Sequence, residues 1–234
     1  MTAIAGGGLV LGFNWFSAEA ANAPVFISNP AMSAGNIGFN SYLSISTDGT
    51  VTIMSPNPEL GQNIMTSFPM IVAEELEADW TKVKVLQANL DNNFDRQLTG
   101  GSGAVPHSWK LLRTAGATAK FMLIEAAAKQ WSVPASECTA ANGFVLHSKS
   151  GKKLSYGELA EAASKLPVPT DVKLKDRKDF KLIGTSVRNV QNKSIVTGKP
   201  LFGMDFYREG MLFAMIQRPE SFGMKVKSVD AAAA

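Results

Sequence analysis

Two alternating strands, a helix and a third alternating strand constrain the fold more than any other feature of this sequence. In residues 41–55, apolar and polar residues alternate on both sides of an Asp-Gly dipeptide, which is typical of a hairpin turn. Apolar residues at three- and four-residue steps then predict a helix over about 62–78, which Pro69 kinks or starts late. Residues 82–90 alternate again. This βαβ-like order favours an α+β fold of α/β-like character.

The middle of the chain continues with helical and strand-like patterns. Apolar residues and alanines at helical spacing predict a long helix over 108–130. Residues 138–154 predict a strand pair around Ser150-Gly151, and residues 155–166 predict a short helix. Ser155 and Glu158 have the spacing of a capping box at the start of that helix.

The last part of the chain changes character. Residues 167–180 are charged and contain prolines, which predicts a solvated linker. Beyond them, residues 198–219 are predicted to be rich in strands, with a turn at Glu209-Gly210. We expect this segment to have strand edges that nothing in the given sequence pairs.

Charge and cysteine content exclude several classes of site. The 23 Lys and Arg residues nearly balance the 20 Asp and Glu residues, and the net charge of +3 does not favour a nucleic-acid partner. Cys138 is the one cysteine, so no disulfide and no cysteine-based metal site is expected. Cys138 and His147 are interpreted as structural, and no residue is predicted to bind a metal ion.

The N-terminal residues have an unusual composition. The sequence begins with a small, apolar, glycine-rich run and reaches AEAANA, which contains small-x-small sites. This is similar to the second half of an export signal, although no Lys or Arg precedes Lys82. A disordered or tucked-in tail is the alternative. The run is too short and too rich in glycine to span a membrane.

Two glycine-bearing loops each stand between a strand pattern and a helix pattern. They are PELGQN at 58–63 and LTGGSG at 98–103. Unpaired N–H groups and the helix dipole make a helix N-terminus favourable for a phosphate or another anion. Thr99 and Ser102 add hydroxyl donors, and Gln62 adds an amide. No Walker lysine is present, so this is not a nucleotidase P-loop.

A structural interpretation of these loops is equally open. Glycines can simply make turns, and Ser or Thr can simply cap helices. No acid–base pair accompanies the loops in the sequence. The glutamates of the preceding helix, Glu74, Glu75 and Glu77, are interpreted as an ordinary solvated face.

Three stretches of the sequence together carry a family resemblance. ELGQN, the run RQLTGGSGAVPHSW and the later VTGKPLFGMDFYREGMLFAMIQRP resemble the molybdopterin-binding subunit of the xanthine dehydrogenase/aldehyde oxidase family. Within it, they look most like the isoquinoline 1-oxidoreductase beta subunits and the membrane-associated aldehyde dehydrogenases. The similarity covers about residues 36–230. The combination of the three stretches is specific, whereas each of them alone is weak.

The resemblance implies which residues bind the cofactor. In that family a pterin dithiolene holds the molybdenum, often as a cytosine dinucleotide, and protein loops grip the pterin and its phosphates. By motif match, Gly61 and Gln62 face the pterin end. The phosphate region falls to the second loop, through Thr99, Gly100, Gly101 and Ser102. Asn63 departs from the pattern, which usually has glycine there, but Asn tolerates a positive φ.

No catalytic residue follows from the resemblance. The family's base is a glutamate in a GxGE-like motif late in the long subunit, and this sequence lacks that motif. We therefore expect the N-terminal part of a molybdenum hydroxylase subunit that oxidises an aldehyde or an N-heterocycle with water as the oxygen source. By itself this part is expected to be inactive. The alternative is a non-catalytic cofactor-binding or assembly module from a truncated or split gene.

The resemblance also implies an organisation and partners. Four segments are expected: an export-signal-like tail (1–35), part of the molybdopterin-binding domain (36–168), a linker (169–180) and the start of an α/β hammerhead domain (181–234). The cofactor-binding part should have a mixed sheet with packed helices. The expected partners are a small subunit with [2Fe-2S] clusters, the remainder of the large subunit and a membrane cytochrome c. The expected location is the periplasm or its membrane, after twin-arginine export.

Overall fold

A computed structural model of the chain describes residues 9–12, 41–91, 94, 96–199, 202–230 and 232. The strands are β1 (Leu9–Gly12), β2 (Ser41–Ile45), β3 (Val51–Ser55), β4 (Val83–Gln87), β5 (Cys138–Ala141), β6 (Phe144–His147) and β7 (Lys152–Ser155). The helices are α1 (Ile64–Leu76), α2 (Ala104–Trp131), α3 (Tyr156–Ser164) and α4 (Asn192–Val196). The chain divides into two compact units, residues 1–199 and residues 200–234. The predicted α+β class is confirmed.

The first sheet has the order β1-β2-β3-β4 and mixes both strand directions. The predicted hairpin is present, since β2 pairs antiparallel with β3 around the turn at Gly49, where φ is +83°. β3 pairs parallel with β4, with Val51 opposite Val83 and Ser55 opposite Gln87. Parallel neighbours need a crossover, and α1 supplies it. Both strands therefore end at the same edge of the sheet, where the two glycine-bearing loops follow.

α1 and α2 pack closely against each other beside this sheet. α1 spans Ile64–Leu76 with Pro69 inside it, so Pro69 does not mark a later start. Gly116 of α2 makes the close approach possible, because an added Cβ would lie 2.3 Å from the carbonyl oxygen of Val72. The core between the sheet and the helices is apolar and includes Leu43, Ile45, Ile53, Phe68, Val72, Leu76, Leu112, Met122 and Leu123.

The second sheet contains one more strand than the sequence predicts. β5, β6 and β7 form consecutive antiparallel pairs, whereas a single strand pair was expected for residues 138–154. The missed turn is Asn142-Gly143, where both residues have positive φ, as short hairpin turns require. The capping box of Ser155 and Glu158 at the start of α3 is confirmed. Tyr156 joins α3 to the first layer by donating its hydroxyl to the carbonyl of Leu76 at 2.6 Å.

The glutamates at the end of α1 are not a solvated face. Glu74 is 2% exposed and Glu75 is fully buried, which contradicts the prediction. The carboxylate of Glu74 accepts the backbone N–H groups of Lys181, Leu182 and Ile183 at distances from 2.7 to 3.1 Å. A helical pattern does not reveal such burial, because it depends on a segment a hundred residues later in the chain.

Lys175 and Arg113 complete this polar cluster. The Lys175 ammonium forms an ion pair with Glu74 and another, at 2.8 Å, with Glu77. Arg113 of α2 lies 2.6 Å from Glu75 and also donates to the carbonyl oxygen of Lys175. We call residues 175–183 the strap. They belong to the predicted solvated linker and its continuation, yet they dock on α1 and α2 and lie inside the first compact unit.

The described residues of the second unit, 202–230, contain a short 3-10 helix at Gly203–Asp205 and no strand. The prediction of a strand-rich segment is therefore wrong for these residues, although the turn at Glu209-Gly210 is present. Most of their large apolar side chains are exposed, as Leu212 and Phe213 illustrate. The assignment of this region to a hammerhead domain stays a prediction.

The N-terminal prediction concerns mostly residues outside the described part. Leu9–Gly12 forms β1 and pairs antiparallel with β2. The other residues of the export-signal-like tail, 1–8 and 13–35, are outside the described residues. Within the described part of the chain, no helix has the length and apolar character that a membrane crossing requires.

Candidate functional site

The two glycine-bearing loops meet at the edge of the first sheet where β3 and β4 end. A cleft of about 290 Å³ lies between them, and residues of both loops line it. Four of the six predicted binding residues are among its walls, namely Gln62, Thr99, Gly100 and Ser102. The other two, Gly61 and Gly101, are direct neighbours of lining residues in the chain. The first turns of α1 and α2 complete the walls with Ile64, Ser67, Ala104 and Val105.

Direct contacts hold the two loops together. Thr99 donates its hydroxyl to the carbonyl of Pro58 at 2.7 Å, and the side-chain amide of Gln62 lies 3.5 Å from the Thr99 oxygen. Deeper in, buried Asn57 donates to the carbonyl of Leu98 at 2.8 Å. These contacts join residues about forty positions apart in the sequence. The sequence predicted that both loops bind the ligand, but it did not predict these hydrogen bonds between them.

The side chain of Gln62 is held at both ends of its amide. Its Oε1 accepts the backbone N–H of Leu60 at 2.6 Å, and its Nε2 donates to the carbonyl of Pro58 at 3.1 Å. Because both contacts are within the loop, the amide has a defined orientation while the residue itself stays exposed beside the cleft. Its Oε1 keeps one lone pair for a ligand, whereas its second N–H becomes available only when a ligand replaces the long 3.5 Å contact with the Thr99 oxygen.

The N-terminus of α1 is closed by a carboxylate of its own loop. Glu59 accepts the backbone N–H groups of Gly61 at 2.8 Å and Asn63 at 2.9 Å through Oε1. Its Oε2 accepts the N–H of Met65 at 3.0 Å. A negative charge and occupied donors make this helix end unfavourable for an anion. No motif in the sequence pointed to Glu59.

The N-terminus of α2 is open. Its N-cap is Gly103, which has no side chain, and the first turn contains no acidic residue. Gly101 and Ser102 have φ of +60° and +54°, and the N–H of Gly103 bonds to the carbonyl of Gly100 at 3.2 Å, as in a type I′ turn. No hydrogen bond of the described residues uses the N–H groups of Ala104 and Val105. The helix begins at 104, earlier than the predicted 108.

Arg96 adds a guanidinium next to this open helix end. A Cβ placed on Gly103 would lie 3.0 Å from its Nη1, so the glycine makes room for the arginine. Arg96 is half-buried, and the structure gives it no hydrogen bond or ion pair with any described residue. An arginine in the stretch before the glycines is a signal that the sequence contained, since guanidinium groups recognise phosphates and carboxylates.

The glycines leave backbone accessible on the ligand side. A Cβ added to Gly61, Gly100 or Gly101 would meet no atom within 4 Å. Gly61 and Gly101 also have positive φ, so these positions need glycine for the turn as well as for the open surface. Asn63 has φ of +73°, so asparagine adopts the positive φ that was expected at this turn. Its Oδ1 is turned to the hydroxyl of Thr66, which donates to it at 2.8 Å.

The residues interpreted as structural have ordinary environments. Burial raises the pKa of the Cys138 thiol, which makes it a poor nucleophile. His147 is buried and lies between Glu137 at 3.0 Å and Ser150 at 2.7 Å, bracing the second sheet. Within the described ranges, no cluster of three His, Cys, Asp or Glu side chains could hold a metal ion.

Comparison with known proteins gives the same region a family context. The family model described as "Molybdopterin cofactor-binding domain" matches residues 22–207. The chain is 32% identical to the beta subunit of isoquinoline 1-oxidoreductase from Brevundimonas diminuta, over 93% of this chain and 33% of that protein. It is also 32% identical to a membrane-bound aldehyde dehydrogenase (pyrroloquinoline-quinone) of Gluconacetobacter polyoxogenes, over 81% of this chain and 25% of that protein.

A third relative and a solved structure are more distant. A nicotinate dehydrogenase subunit of Pseudomonas putida is 30% identical over 78% of this chain and 15% of that protein. The crystal structure of quinoline 2-oxidoreductase from Pseudomonas putida 86 matches with a TM-score of 0.41 and 18% identity, over 51% of this chain and 15% of that one. A structural similarity of this size supports no inference. The chain spans a third or less of the length of the relatives it matches.

Proposed function

This chain belongs to the family of molybdopterin cofactor-binding domains, and we propose that it forms one wall of the cofactor site in a molybdenum hydroxylase. The substrate class is an aldehyde or an N-heterocycle, and the oxygen atom comes from water. The observation that carries the proposal is the convergence of two loops and one open helix N-terminus on a single cleft, with Arg96 next to the lining residue Gly103. The names of the similar proteins support the substrate class.

The residues present fit a pterin with phosphates. A phosphate group needs several hydrogen-bond donors and benefits from positive charge. The cleft provides the hydroxyl of Ser102 and the backbone N–H groups at the start of α2, and the guanidinium of Arg96 lies beside Gly103 of its lining. The Thr99 hydroxyl can accept a hydrogen bond where it is, and it can donate to a phosphate once it releases the carbonyl of Pro58. The bare backbone at Gly100 and Gly101 lets a bulky ligand approach. No protein ligand for the metal is expected, because the pterin dithiolene carries it.

Each part of the cleft then has a role. Gly61 and Gln62 contact the pterin end, where the oriented amide of Gln62 donates and accepts. Thr99, Gly100, Gly101, Ser102 and Arg96 hold the phosphate end. When bound, the molybdenum centre supplies the two-electron oxidation of the substrate. We expect the cofactor to be molybdopterin cytosine dinucleotide, in which a second phosphate is present for the donors around the start of α2.

The proposal includes partners and a location. Electrons leave through a small subunit with [2Fe-2S] clusters and a membrane cytochrome c, and the remainder of the large subunit closes the cofactor site. The protein works in the periplasm, attached to the membrane, after twin-arginine export. The subunit names of two similar proteins support a multi-subunit assembly.

Arg96→Gln tests the proposed site. The full-length protein is purified from a host that makes molybdopterin, and molybdenum and pterin per chain are measured. Loss of a charge-assisted phosphate contact of about 1.5–3 kcal/mol should lower cofactor content strongly, while thermal unfolding stays near wild type. Thr99→Ala combined with Ser102→Ala should have a smaller effect in the same direction.

Arg177→Gln is the control. It removes the same charge from an exposed position on the 3-10 helix Arg177–Asp179, which neither lines the cleft nor lies beside Gly103 as Arg96 does. The control should keep wild-type cofactor content. Wild-type protein that contains no molybdenum or pterin would refute the proposed function. Cofactor content that is equal in Arg96→Gln and wild type would remove Arg96 from the site.

A further inference from the structure

The loop that carries Gln62 is organised around one carboxylate. Glu59 accepts three backbone N–H groups, those of Gly61, Asn63 and Met65. Two of these residues flank Gln62 directly, and the third lies in the first turn of α1. Three donors on one carboxylate form a small, charge-assisted network that fixes the backbone on both sides of Gln62.

Among the described residues, the helix itself offers no alternative to Glu59. Asn63, the N-cap of α1, forms no side-chain cap hydrogen bond, because its backbone is left-handed at φ +73° and its Oδ1 accepts the Thr66 hydroxyl. The first turn of α1 contains no acidic residue of its own. Glu59 lies outside the helix and reaches back to cap it. A capping role and a loop-shaping role therefore fall on the same carboxylate.

The position of Gln62 depends on this network. Its Oε1 accepts the N–H of Leu60 and its Nε2 donates to the carbonyl of Pro58, so both amide contacts lie within the loop that Glu59 shapes. If the turn at Gly61 opens, the amide of Gln62 loses the geometry of these contacts and of its approach to Thr99, now 3.5 Å away. The bridge between the two loops weakens with it.

We infer that Glu59 is a positioning residue of the cofactor site. It sets the orientation of Gln62, and it occupies backbone N–H groups at the N-terminus of α1. Its charge disfavours an anion at α1, so the phosphate end of the ligand is directed to the open N-terminus of α2. This inference rests on the proposed function. It extends that proposal to a residue that is not itself expected to touch the cofactor.

Glu59→Gln separates the inference from simple loss of stability. The amide has the same shape but only one acceptor oxygen, so at least one of the three N–H groups loses its partner. Glu158→Gln is the matched control, because Glu158 also caps a helix from its side chain, accepting the Ser155 N–H at 2.8 Å and the Ser155 hydroxyl at 2.6 Å. Glu158 belongs to α3 and not to the cleft lining.

Two readouts are taken on the full-length protein. Hydrogen exchange at Gly61, Asn63 and Met65 is followed in protein from a host that makes no molybdopterin, and retained pterin is measured in protein from a host that does. Glu59→Gln should speed exchange at one or more of these amides about tenfold and lower pterin retention about tenfold. Glu158→Gln should change neither, even where both variants lower the unfolding temperature equally.

The outcomes distinguish the two proposals. Pterin retention and amide exchange at wild-type level in Glu59→Gln would overturn the positioning role and leave the cofactor site intact. Equal pterin loss in both variants would also overturn it, since loss would then follow stability alone. If wild type holds no pterin, the proposed function fails, and exchange in the apo protein still decides whether Glu59 holds the loop.

Discussion

The strap at 175–183 is docked on its neighbours, whereas the segment 202–230 is largely exposed. The sequence pattern alone predicts the opposite for each of them. The strap is charged and was predicted to be a solvated linker, yet buried carboxylates hold it against α1 and α2. The later segment has the apolar residues of a strand-rich region, yet Leu212 is 93% exposed and no described residue of it is in a strand.

The difference teaches what orders a segment that has no regular structure. Apolar side chains stabilise a strand only when another surface covers them. Backbone N–H groups, in contrast, are ordered by any well-placed acceptor, and Glu74 provides one for three consecutive residues. A buried carboxylate is costly unless such partners satisfy it, so the glutamate and the strap depend on each other.

Glu75→Ala should have the largest effect on this contrast. Glu75 is fully buried between the Arg113 guanidinium and the backbone N–H of Lys175. Removing it leaves a mostly buried arginine without its carboxylate partner, which should cost about 3–5 kcal/mol of unfolding free energy. Chemical denaturation measures the change. The control Glu161→Ala breaks an exposed pair with Lys165 and should leave stability nearly unchanged. Equal effects of the two variants would contradict the burial argument.

Gly116→Ala should come next and compares the two units directly. An added Cβ would lie 2.3 Å from the Val72 carbonyl oxygen and 2.9 Å from the Cβ of Glu75. Both residues belong to α1, so α1 must shift away from α2. We expect a loss of about 1–3 kcal/mol from overpacking, measured by denaturation. Gly203→Ala adds the same methyl group in the second unit, where it meets nothing within 4 Å. A destabilisation by Gly203→Ala as large as that of Gly116→Ala would contradict the open character of that segment.

Acidification should produce the smallest and most local effect. Burial raises the pKa of Glu74, but the Lys175 ammonium and the N–H groups of 181–183 outweigh it and hold the pKa below its ordinary 4.5. A lowered folded pKa means that the stabilisation is complete above about 4.5 and is lost as the pH falls through the folded value. Burial lowers the pKa of Lys175, but Glu74 and Glu77 raise it overall above 10.5, so this partner stays charged throughout the acidic range.

Amide resonances of the strap follow this acid transition. Those of Lys181, Leu182 and Ile183 should move together as Glu74 is protonated, while the Tyr156 region of α3 stays unchanged. Glu74→Gln should remove the pH dependence. Besides Lys175, the charged groups near Glu74 include Glu75, Glu77, Lys181, Arg113 and Lys120. A transition that begins well above pH 4.5 would assign the effect to another group.

Local patterns predicted most of the regular structure. The hairpin of β2 and β3, the helices α1, α2 and α3 and the Ser155–Glu158 capping box follow from periodicity and cap chemistry within a few residues. The misses have physical reasons. The turn at Asn142-Gly143 splits what looked like one strand, and the burial of Glu74 and Glu75 depends on residues far along the chain, which no local window contains.

The sequence predicted the two loops of the candidate site, but it did not predict the roles of the charged residues Glu59 and Arg96. Two motifs named the six binding residues, and the structure brings four of them to one cleft, with Gly61 and Gly101 next to them in the chain. Glu59 and Arg96 were missed, because their importance depends on which backbone groups lie within reach after folding. Nothing in the local sequence distinguishes Glu59 or Arg96 from an ordinary surface charge, and only the folded geometry does so.

The bond from Thr99 to the carbonyl of Pro58 has a consequence for how tightly a ligand can be held. Two independent, mobile loops would each lose conformational entropy when a ligand binds, and that loss would weaken the affinity for the ligand. Here much of this entropy is lost during folding, because the hydrogen bond between Thr99 and Pro58 already joins the two loops. In a preorganised site of this kind, more of the free energy of each contact appears as net affinity, and the ligand dissociates more slowly.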